Sequence, residues 1–212
     1  MKIYVQSMDE SLTGRDKRAA IRRAQEELLS RALSDAGFLF VDCAEVPLQQ
    51  KGPHGKPYFP SLPDFHYNFS DSGSYAALAA ADSRDGIRSL GLDLQKIVPV
   101  RAGIDAMAKR FYTPEEAALL ADMEDTAAKQ ALFFRLWSVK EAFVKCTGDG
   151  LTRGIRYFTI DFDARLIRSR DHPAEVLASF EEPKPPEPGY CMAIAVRPMR
   201  GSSVTDCGSH SL

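Results

Sequence analysis

The chain has 212 residues, of which 44% are hydrophobic and 26% charged, and its formal net charge at pH 7 is -2. This is the balance of a globular protein with enough chain for one large domain or two small, closely joined ones. The charge argues against a nucleic-acid-binding protein that relies on a general excess of positive charge. The four cysteines are scattered without a CxxC pair, so neither a zinc site nor a disulfide framework is indicated.

No segment is apolar enough to cross a bilayer, and the N-terminus lacks the apolar stretch of a signal peptide. We therefore expect a cytoplasmic enzyme or binding protein that acts without nucleic acid or a membrane.

The first half of the chain mixes strand and helix patterns. Ile3 and Val5 alternate with polar residues as in a strand, and residues 14–36 have apolar residues at helical spacing. Further segments follow in chain order: a strand formed by 38–41 with 45–48, a turn-rich loop at 51–57, a hairpin or a strand entering a short helix at 67–81, and a strand at 90–98.

The second half repeats this plan. Helices are predicted at 104–111, from Thr113 onwards, and at 129–146. At Thr113 an N-cap threonine, a proline at the first helical position and Glu116 three residues later mark a helix start. Three strands are predicted at 157–162, 174–180 and 190–196. We expect an α+β protein with two similar halves, 1–100 and 101–198, and a disordered tail at 199–212.

The strand at 90–98 carries a candidate metal site. Leu92 and Leu94 point to one face, and Asp93 and Gln95 to the other, while Gly91 allows another backbone to approach closely. Two oxygen ligands completed by waters and a substrate phosphate suit Mg²⁺. Asp93 could instead cap the loop after the strand or be solvated.

The helix at 129–146 carries a second candidate pair. Glu141 and Lys145 are four residues apart, which is the spacing of an exposed helical salt bridge worth ~0.3–0.5 kcal/mol. Lys140, however, falls on the apolar stripe of this helix, where a lysine normally has a partner or extends its ammonium group to the surface. The helix therefore has polar groups close to where it packs, and both interpretations of the Glu141 and Lys145 pair stay open.

Two polar turns lie between these segments. Gly55-Lys-Pro57 puts Lys56 in a stiff turn, and residues 68–73 combine an amide with free hydroxyl groups. Such turns can cradle a phosphate group, although ordinary surface loops often have the same composition.

Taken in order, these segments resemble the larger, surfactin-synthetase-activating class of 4′-phosphopantetheinyl transferases over roughly residues 1–198. Order and spacing, rather than any one segment, carry the resemblance. The matching segments are Met1-Lys-Ile-Tyr4 with Met8-Asp9, Gly55-Lys-Pro57, Asn68-Phe-Ser70 with Ser72-Gly73, Gly91-Leu-Asp-Leu-Gln95, Phe111 with Thr113-Pro-Glu-Glu116, and Trp137-Ser-Val-Lys-Glu-Ala-Phe-Val-Lys145 with Gly148 and Gly150.

The resemblance implies two α+β halves related by a pseudo-twofold axis, with the active site in the cleft between them. It implies transfer of 4′-phosphopantetheine from coenzyme A to a serine of an apo acyl- or peptidyl-carrier protein, with release of adenosine 3′,5′-bisphosphate. The internal duplication favours a monomer. The alternative is a degenerate relative that binds a carrier protein or a nucleotide without catalysis.

The resemblance also implies roles for the strand and helix residues. Asp93, Gln95 and Glu141 would hold Mg²⁺ against the pyrophosphate. Glu141 would deprotonate the carrier serine, directly or through water, and Lys145 would neutralise the pyrophosphate and help the leaving group. Gln95 stands where many members have glutamate, which keeps a ligand oxygen but removes a charge and should weaken metal binding.

For coenzyme A, the resemblance implies contacts from Lys56 and Ser70 to the region of the 3′-phosphate. Asp71 stands where the family usually has a histidine that meets this phosphate. An aspartate there is anionic and accepts but does not donate hydrogen bonds, so it should repel the phosphate unless it is protonated or turned away. The early lysines that contact coenzyme A in longer members have no clear counterparts in this sequence, and Arg18, Arg22 and Arg23 are the candidates to replace them.

Overall fold

The computed structural model describes residues 1–38, 47–150 and 154–199. Within these ranges the chain forms ten strands and four α-helices. In chain order they are β1 (Lys2–Ser7), α1 (Gly14–Asp35), β2 (Gln50–Lys51), β3 (Pro57–Tyr58), β4 (Phe65–Ser72), β5 (Tyr75–Asp82), β6 (Ile87–Lys96), α2 (Ile104–Phe111), α3 (Pro114–Ala121), α4 (Thr126–Thr147), β7 (Phe158–Asp161), β8 (Leu166–Ser169), β9 (Val176–Glu181) and β10 (Tyr190–Pro198).

The first sheet is antiparallel, with strand order β1-β5-β4, and α1 packs against it. The helix buries Ala24, Leu28 and Ala32, whose spacing of four residues places them on one face. They share a hydrophobic core with Tyr67 of β4 and Leu78 of β5. The opposite face of α1 is therefore free to carry charged side chains.

The second sheet has the order β6-β10-β9-β8-β7, and α4 lies across β6 and β10. Helix α4 begins after Asp125, whose carboxylate accepts hydrogen bonds from the N–H groups of Ala127 at 2.8 Å and Ala128 at 3.1 Å. It ends at Gly148, which has the left-handed φ of 73° that glycine adopts without strain. These two ends fix which α4 residues face β6.

Side chains of β4, rather than a backbone ladder, join the two sheets. Three alternate β4 side chains accept hydrogen bonds from three alternate backbone N–H groups of β6, because both strands repeat every two residues. The pairs are Asn68 Oδ1 with Leu92 at 2.9 Å, Ser70 Oγ with Leu94 at 3.0 Å, and Ser72 Oγ with Lys96 at 2.9 Å. The polar residues at 68–72 thus hold β6 in place beside β4.

The α+β fold class and the helices are confirmed. The start of α3 has the predicted capping box: the Thr113 hydroxyl accepts from the Glu116 N–H group at 3.3 Å, and the Glu116 carboxylate accepts from the Thr113 N–H group at 3.0 Å. Of the two alternatives for 67–81, the structure has the hairpin β4–β5. Short strands β2 and β3 flank the predicted turn at 51–57.

The three strands predicted after α4 are confirmed as β7, β9 and β10, but the prediction missed a fourth strand, β8. The turn between β7 and β8 contains no glycine to mark it. Instead, Arg165 adopts a left-handed φ of 55°, and the Asp161 carboxylate accepts from the Ala164 N–H group at 2.9 Å. Side-chain capping of this kind replaces glycine in tight turns.

Other predictions concern residues or properties outside this description. The strand predicted at 38–41 with 45–48 falls mostly outside the described residues, as does the tail from 200 onwards. The division into halves at residue 100 and the pseudo-twofold axis stay predictions. Strand β6, just before that boundary, pairs with β10. No described helix combines the length and apolar character needed to cross a membrane.

Candidate active site

Asp93 is buried in the centre of β6 and accepts hydrogen bonds from three side chains. Only 1% of the residue is exposed. The Lys145 ammonium group lies 2.7 Å from Oδ1, and the Ser70 hydroxyl donates to the same oxygen at 3.2 Å. The Ser138 hydroxyl donates to Oδ2 at 3.2 Å. The carboxylate is therefore held from β4 on one side and from α4 on the other.

The close approach of α4 depends on Gly91. A Cβ atom at this position would overlap the backbone of Ala142 and of Cys146 in α4. The close approach predicted from Gly91 is thus confirmed, and its partner is the helix that carries Lys145. This contact brings two segments of the chain about fifty residues apart into hydrogen-bonding distance.

Ser70 ties the carboxylate to the junction between the sheets. Its hydroxyl accepts from the Leu94 N–H group at 3.0 Å and from the Lys145 ammonium group at 3.0 Å, and it donates to Asp93. The hydroxyl thus has a partner for each of its hydrogen-bonding roles. The predicted contact of Ser70 with coenzyme A stays a prediction, while its observed contacts position Asp93 and Lys145.

Glu141 is partly buried and faces these groups without a partner of its own. No hydrogen bond or ion pair joins its carboxylate to another residue in the described ranges. Burial raises the pKa of Glu141, the negative charge of Asp93 raises it further, and Lys145 acts in the opposite direction. The ion pair of Lys145 is made with Asp93, so the simple Glu141–Lys145 salt bridge is not the arrangement that forms.

A cavity of about 580 Å³ opens beside Glu141 and Lys145, between α1, the β2–β3 hairpin and the C-terminal end of α4. Its basic lining residues are Arg22, Lys51, His54, Lys56 and Lys145. Glu26 of α1 adds an acidic group to the same wall. The excess of basic groups suits an anionic ligand.

Lys56 lines this cavity with its stem, but its ammonium group is already bound. It donates to the carbonyl oxygens of Leu90 and Cys146, both at 2.8 Å. Burial lowers the pKa of Lys56. The lysine therefore joins β6 to the last turn of α4, where cations are favoured by the helix dipole. Its predicted contact with a phosphate group stays a prediction.

The remaining predicted residues lie further from the cavity. Asp71 is exposed near the end of β4, and Gln95 is partly buried on β6, opposite Cys191 of β10. Neither is among the residues that line the cavity. The structure thus brings Asp93, Ser70, Glu141 and Lys145 together, with Arg22 and Lys56 on the cavity wall.

Sequence reasoning missed Ser138 and the two basic residues of the β2–β3 hairpin. Ser138 had a usable signal: it precedes Glu141 by three residues and Lys145 by seven, so all three share one helical face. Lys51 and His54 lie on either side of a Gly-Pro turn and had no such signal. The His54 ring packs against Gly150, where an added Cβ would be 3.3 Å from His54 Cβ.

The donor set is compatible with Mg²⁺, although the described residues include no group of three or more His, Cys, Asp or Glu side chains that could hold a metal. Asp93 and Glu141 are two carboxylates close enough for the charge of one to raise the pKa of the other. A cation between them would relieve that repulsion. Gln95 would add an amide oxygen, and Mg²⁺ commonly completes its shell with waters and substrate oxygens.

Comparisons with known proteins identify the family of this chain. A sequence model of the 4′-phosphopantetheinyl transferase superfamily matches residues 89–195, just over half of the chain. The match includes β6, α4 and therefore the Asp93, Glu141 and Lys145 constellation.

Three curated relatives illustrate the similarity. The 4′-phosphopantetheinyl transferase psf-1 of Bacillus pumilus is 34% identical over 147 residues, which cover 68% of this chain and 58% of that protein. A 4′-phosphopantetheinyl transferase of Bacillus subtilis is 38% identical over 109 residues, covering 50% and 44%. Sfp of Bacillus subtilis strain 168 is 34% identical over 146 residues, covering 66% and 59%.

The chain thus spans about half the length of the curated relatives it matches. The matched region nevertheless contains both structural elements that meet at Gly91. On the family match, which covers just over half of its residues, the chain belongs to the 4′-phosphopantetheinyl transferase superfamily.

Proposed function

We propose that this protein transfers the 4′-phosphopantetheine group of coenzyme A to a serine of an apo acyl- or peptidyl-carrier protein, releasing adenosine 3′,5′-bisphosphate. The observation that carries the proposal is the meeting of Asp93 of β6 with Lys145 of α4 at 2.7 Å, beside Glu141 and a basic cavity. The names of the relatives support the same reaction.

The side chains match the needs of this chemistry. Attack by a neutral hydroxyl group on a pyrophosphate requires a base near the nucleophile and positive charge near the departing phosphate. Glu141 has no hydrogen-bond partner among the described residues and has a raised pKa, which favours proton uptake. The Lys145 side chain is 28% exposed toward solvent, so its ammonium group can reach a bound anion.

We assign Mg²⁺ to Asp93, Gln95 and Glu141. When bound, the ion would supply positive charge to the pyrophosphate oxygens. The chain's own contribution is to orient the ligands: Ser70 and Ser138 hold the two oxygens of Asp93 in fixed positions.

We assign the coenzyme A phosphates to the wall formed by α1 and the hairpin. Within the described ranges, Arg22, Lys51 and His54 line the cavity and no ion pair engages their side chains. They are therefore available to an anionic ligand, whereas Lys56 is tied to two carbonyl groups. Lys56, Ser70 and Asp71 stay candidates for the 3′-phosphate end, as the resemblance implies.

The decisive experiment incubates the purified protein with coenzyme A, Mg²⁺ and a panel of apo carrier proteins, followed by intact-protein mass spectrometry. We expect the carrier to gain the mass of one phosphopantetheine group. A carrier with its acceptor serine replaced by alanine is the control. Absence of any gain across a broad panel would overturn the proposal.

Asp71→His separates an active enzyme from a degenerate binding relative. If Asp71 repels the 3′-phosphate, this variant should bind coenzyme A more tightly, by about tenfold or less for an exposed charge. Calorimetry with coenzyme A measures the change. Unchanged affinity and turnover would place Asp71 outside the binding site. Coenzyme A binding by both proteins without carrier modification would favour the binding relative.

We further expect the protein to act as a monomer in the cytoplasm, because one chain supplies both predicted halves of the cleft. Light scattering of the purified protein tests the oligomeric state.

A further inference from the structure

The cation that Asp93 binds in this structure is the ammonium group of Lys145. Oδ1 of Asp93 accepts from Lys145 at 2.7 Å and from Ser70 at 3.2 Å, and Oδ2 accepts from Ser138 at 3.2 Å. Both carboxylate oxygens therefore already have donors. Any other cation that binds Asp93 through Oδ1 competes there with the ammonium group, which is the only charged donor to this oxygen among the described residues.

The Lys145 contact is built to be exchanged more easily than the others. Its ammonium group has three donors, and two described acceptors receive them, Asp93 and Ser70. The side chain is 28% exposed and lines the cavity, whereas that of Asp93 is 2% exposed. A long, flexible side chain at the edge of a cavity can move more freely than a buried carboxylate that two hydroxyl groups hold.

We propose that Lys145 is an exchangeable counter-ion of Asp93. A divalent cation and the Lys145 ammonium group compete for Oδ1, and cation binding releases the ammonium group into the cavity. This inference rests on the proposed function, because it takes Asp93 as a ligand of a divalent cation. It adds an order of events: the lysine becomes available to the phosphates of the ligand when the cation takes its place on Asp93.

Two other lysines, Lys140 within α4 and Lys56 against its last turn, do not share this property. Lys56 donates to two backbone carbonyl groups, and a carbonyl oxygen binds a divalent cation more weakly than a carboxylate does. Lys140 has all three donors satisfied and is fully buried. In the described part of the chain, Lys145 is thus the lysine that joins a carboxylate to the cavity.

The test is the affinity of the wild-type protein and of Lys145→Met for Mn²⁺, measured by electron paramagnetic resonance of free Mn²⁺ without coenzyme A. Methionine keeps much of the stem and removes the competing charge. We expect binding to tighten by about tenfold, within the usual range for coupling between two ligands. Unchanged or weaker binding by a folded Lys145→Met protein would overturn the proposal.

Arg22→Met is the matched control, since Arg22 is a cation of the same cavity with no contact to Asp93. Removal of a positive charge from the cavity would by itself tighten Mn²⁺ binding in both variants, and a comparable tightening in both would also overturn the proposal. A tightening confined to Lys145→Met supports direct competition.

A second measurement uses the wild-type protein alone and so does not depend on the folding of a variant. Mg²⁺ should increase the rate at which an amine-acylating reagent labels Lys145, measured by peptide mass spectrometry. Lys2, whose side chain is 62% exposed, is the internal standard, and its labelling should not change. Labelling of Lys145 that Mg²⁺ leaves unchanged or slows would contradict the exchange.

Failure of this inference and failure of the proposed function give different results. Both binding measurements are made without a carrier protein. If no carrier is modified but the Lys145→Met effect on Mn²⁺ persists, the transferase proposal fails and the exchange stands. If carriers are modified but Mn²⁺ affinity is unchanged, the exchange fails and the transferase stands.

Discussion

Of the three lysines of helix α4, Lys140 and Lys145 pair with carboxylates that are themselves buried, Glu116 and Asp93, yet the surroundings of the two lysines differ. The Lys140 ammonium group lies 2.9 Å from Glu116 and donates to the carbonyl oxygens of Ile155 at 3.1 Å and Phe158 at 3.0 Å. Its side chain is fully buried. Every donor of this group has a partner, and the side chain has no surface exposed to solvent.

Lys145 has the more open arrangement. Its ammonium group donates to Asp93 and Ser70, and its side chain lines the cavity. The Lys145 ammonium group thus keeps one N–H donor without an acceptor among the described residues, and the cavity lets a ligand reach it. The comparison teaches that a buried lysine–carboxylate pair is structural when its donors are all satisfied in a closed site. It is a candidate for chemistry when a donor and an opening remain.

The largest effect on stability should come from breaking the buried ion pair of Lys140 and Glu116. Lys140→Met leaves the Glu116 carboxylate without its cation, which for a buried ion pair costs about 3–5 kcal/mol in the free energy of unfolding. Urea denaturation measures the loss. The double variant Lys140→Met with Glu116→Gln should recover part of it, because no unpaired charge stays buried. A loss well below 1 kcal/mol would show that the pair behaves as an exposed one.

Glu141 lies between the two lysines in sequence and should act on activity. Glu141→Gln keeps the shape of the side chain but removes the proposed base and metal ligand. We expect the rate of carrier modification to fall by about 10²-fold or more. Rate measurements at saturating coenzyme A test this, with circular dichroism as the control for folding. Near-normal rates would remove Glu141 from the catalytic assignment.

Lys145→Met should also lower the stability of the fold, and Mg²⁺ should affect this variant differently from Lys140→Met. Removing the ammonium group leaves Asp93 with two hydroxyl donors, and loss of a charged hydrogen bond costs about 1–3 kcal/mol. Added Mg²⁺ should restore most of this loss, because the ion binds the same carboxylate and stabilises the folded state. Thermal unfolding with and without Mg²⁺ measures both effects. Equal recovery in Lys140→Met would erase the distinction between the two sites.

The smallest effect concerns pH. The pKa of Glu141 is raised in the folded protein by burial and by Asp93. Its ionisation therefore opposes folding: the penalty is absent at pH values below the pKa of the unfolded chain and grows as pH rises through the pKa of the folded protein. Glu141→Gln should be more stable than the wild type near pH 7, and this advantage should vanish in acid.

Parallel thermal unfolding of Glu141→Gln and the wild type across this pH range measures the difference. A stability difference that does not change with pH would mean that Glu141 titrates normally in the folded protein.

Local patterns predicted most of the fold. The start of α3 at Thr113 and the end of α4 at Gly148 depend on residues that are neighbours in the chain, so the sequence shows both directly. Strand β8 escaped because Asp161 and Arg165 form its turn without glycine. The alternation at Leu92 and Asp93 likewise predicted a strand with one polar face, but not what that face meets.

The candidate site was only partly predictable. Sequence spacing suggests Glu141 as the partner of Lys145, since the two are four residues apart. The structure pairs Lys145 with Asp93 instead, because Gly91 allows α4 to lie directly on β6. Ser138 donates to the same carboxylate. Its spacing places it on the helical face of Glu141 and Lys145, but does not show that this face meets Asp93.

By itself, the sequence determined the elements, their order and the polar residues that could serve a phosphate-transfer site, since caps, turns and periodicity act between near neighbours. The tertiary structure alone decided that Lys140 is fully buried and that Lys145 lines the cavity. That outcome depends on contacts between residues 52 apart in the chain for Lys145 and Asp93, and on packing that buries Lys140 completely. Local spacing carries no information about either.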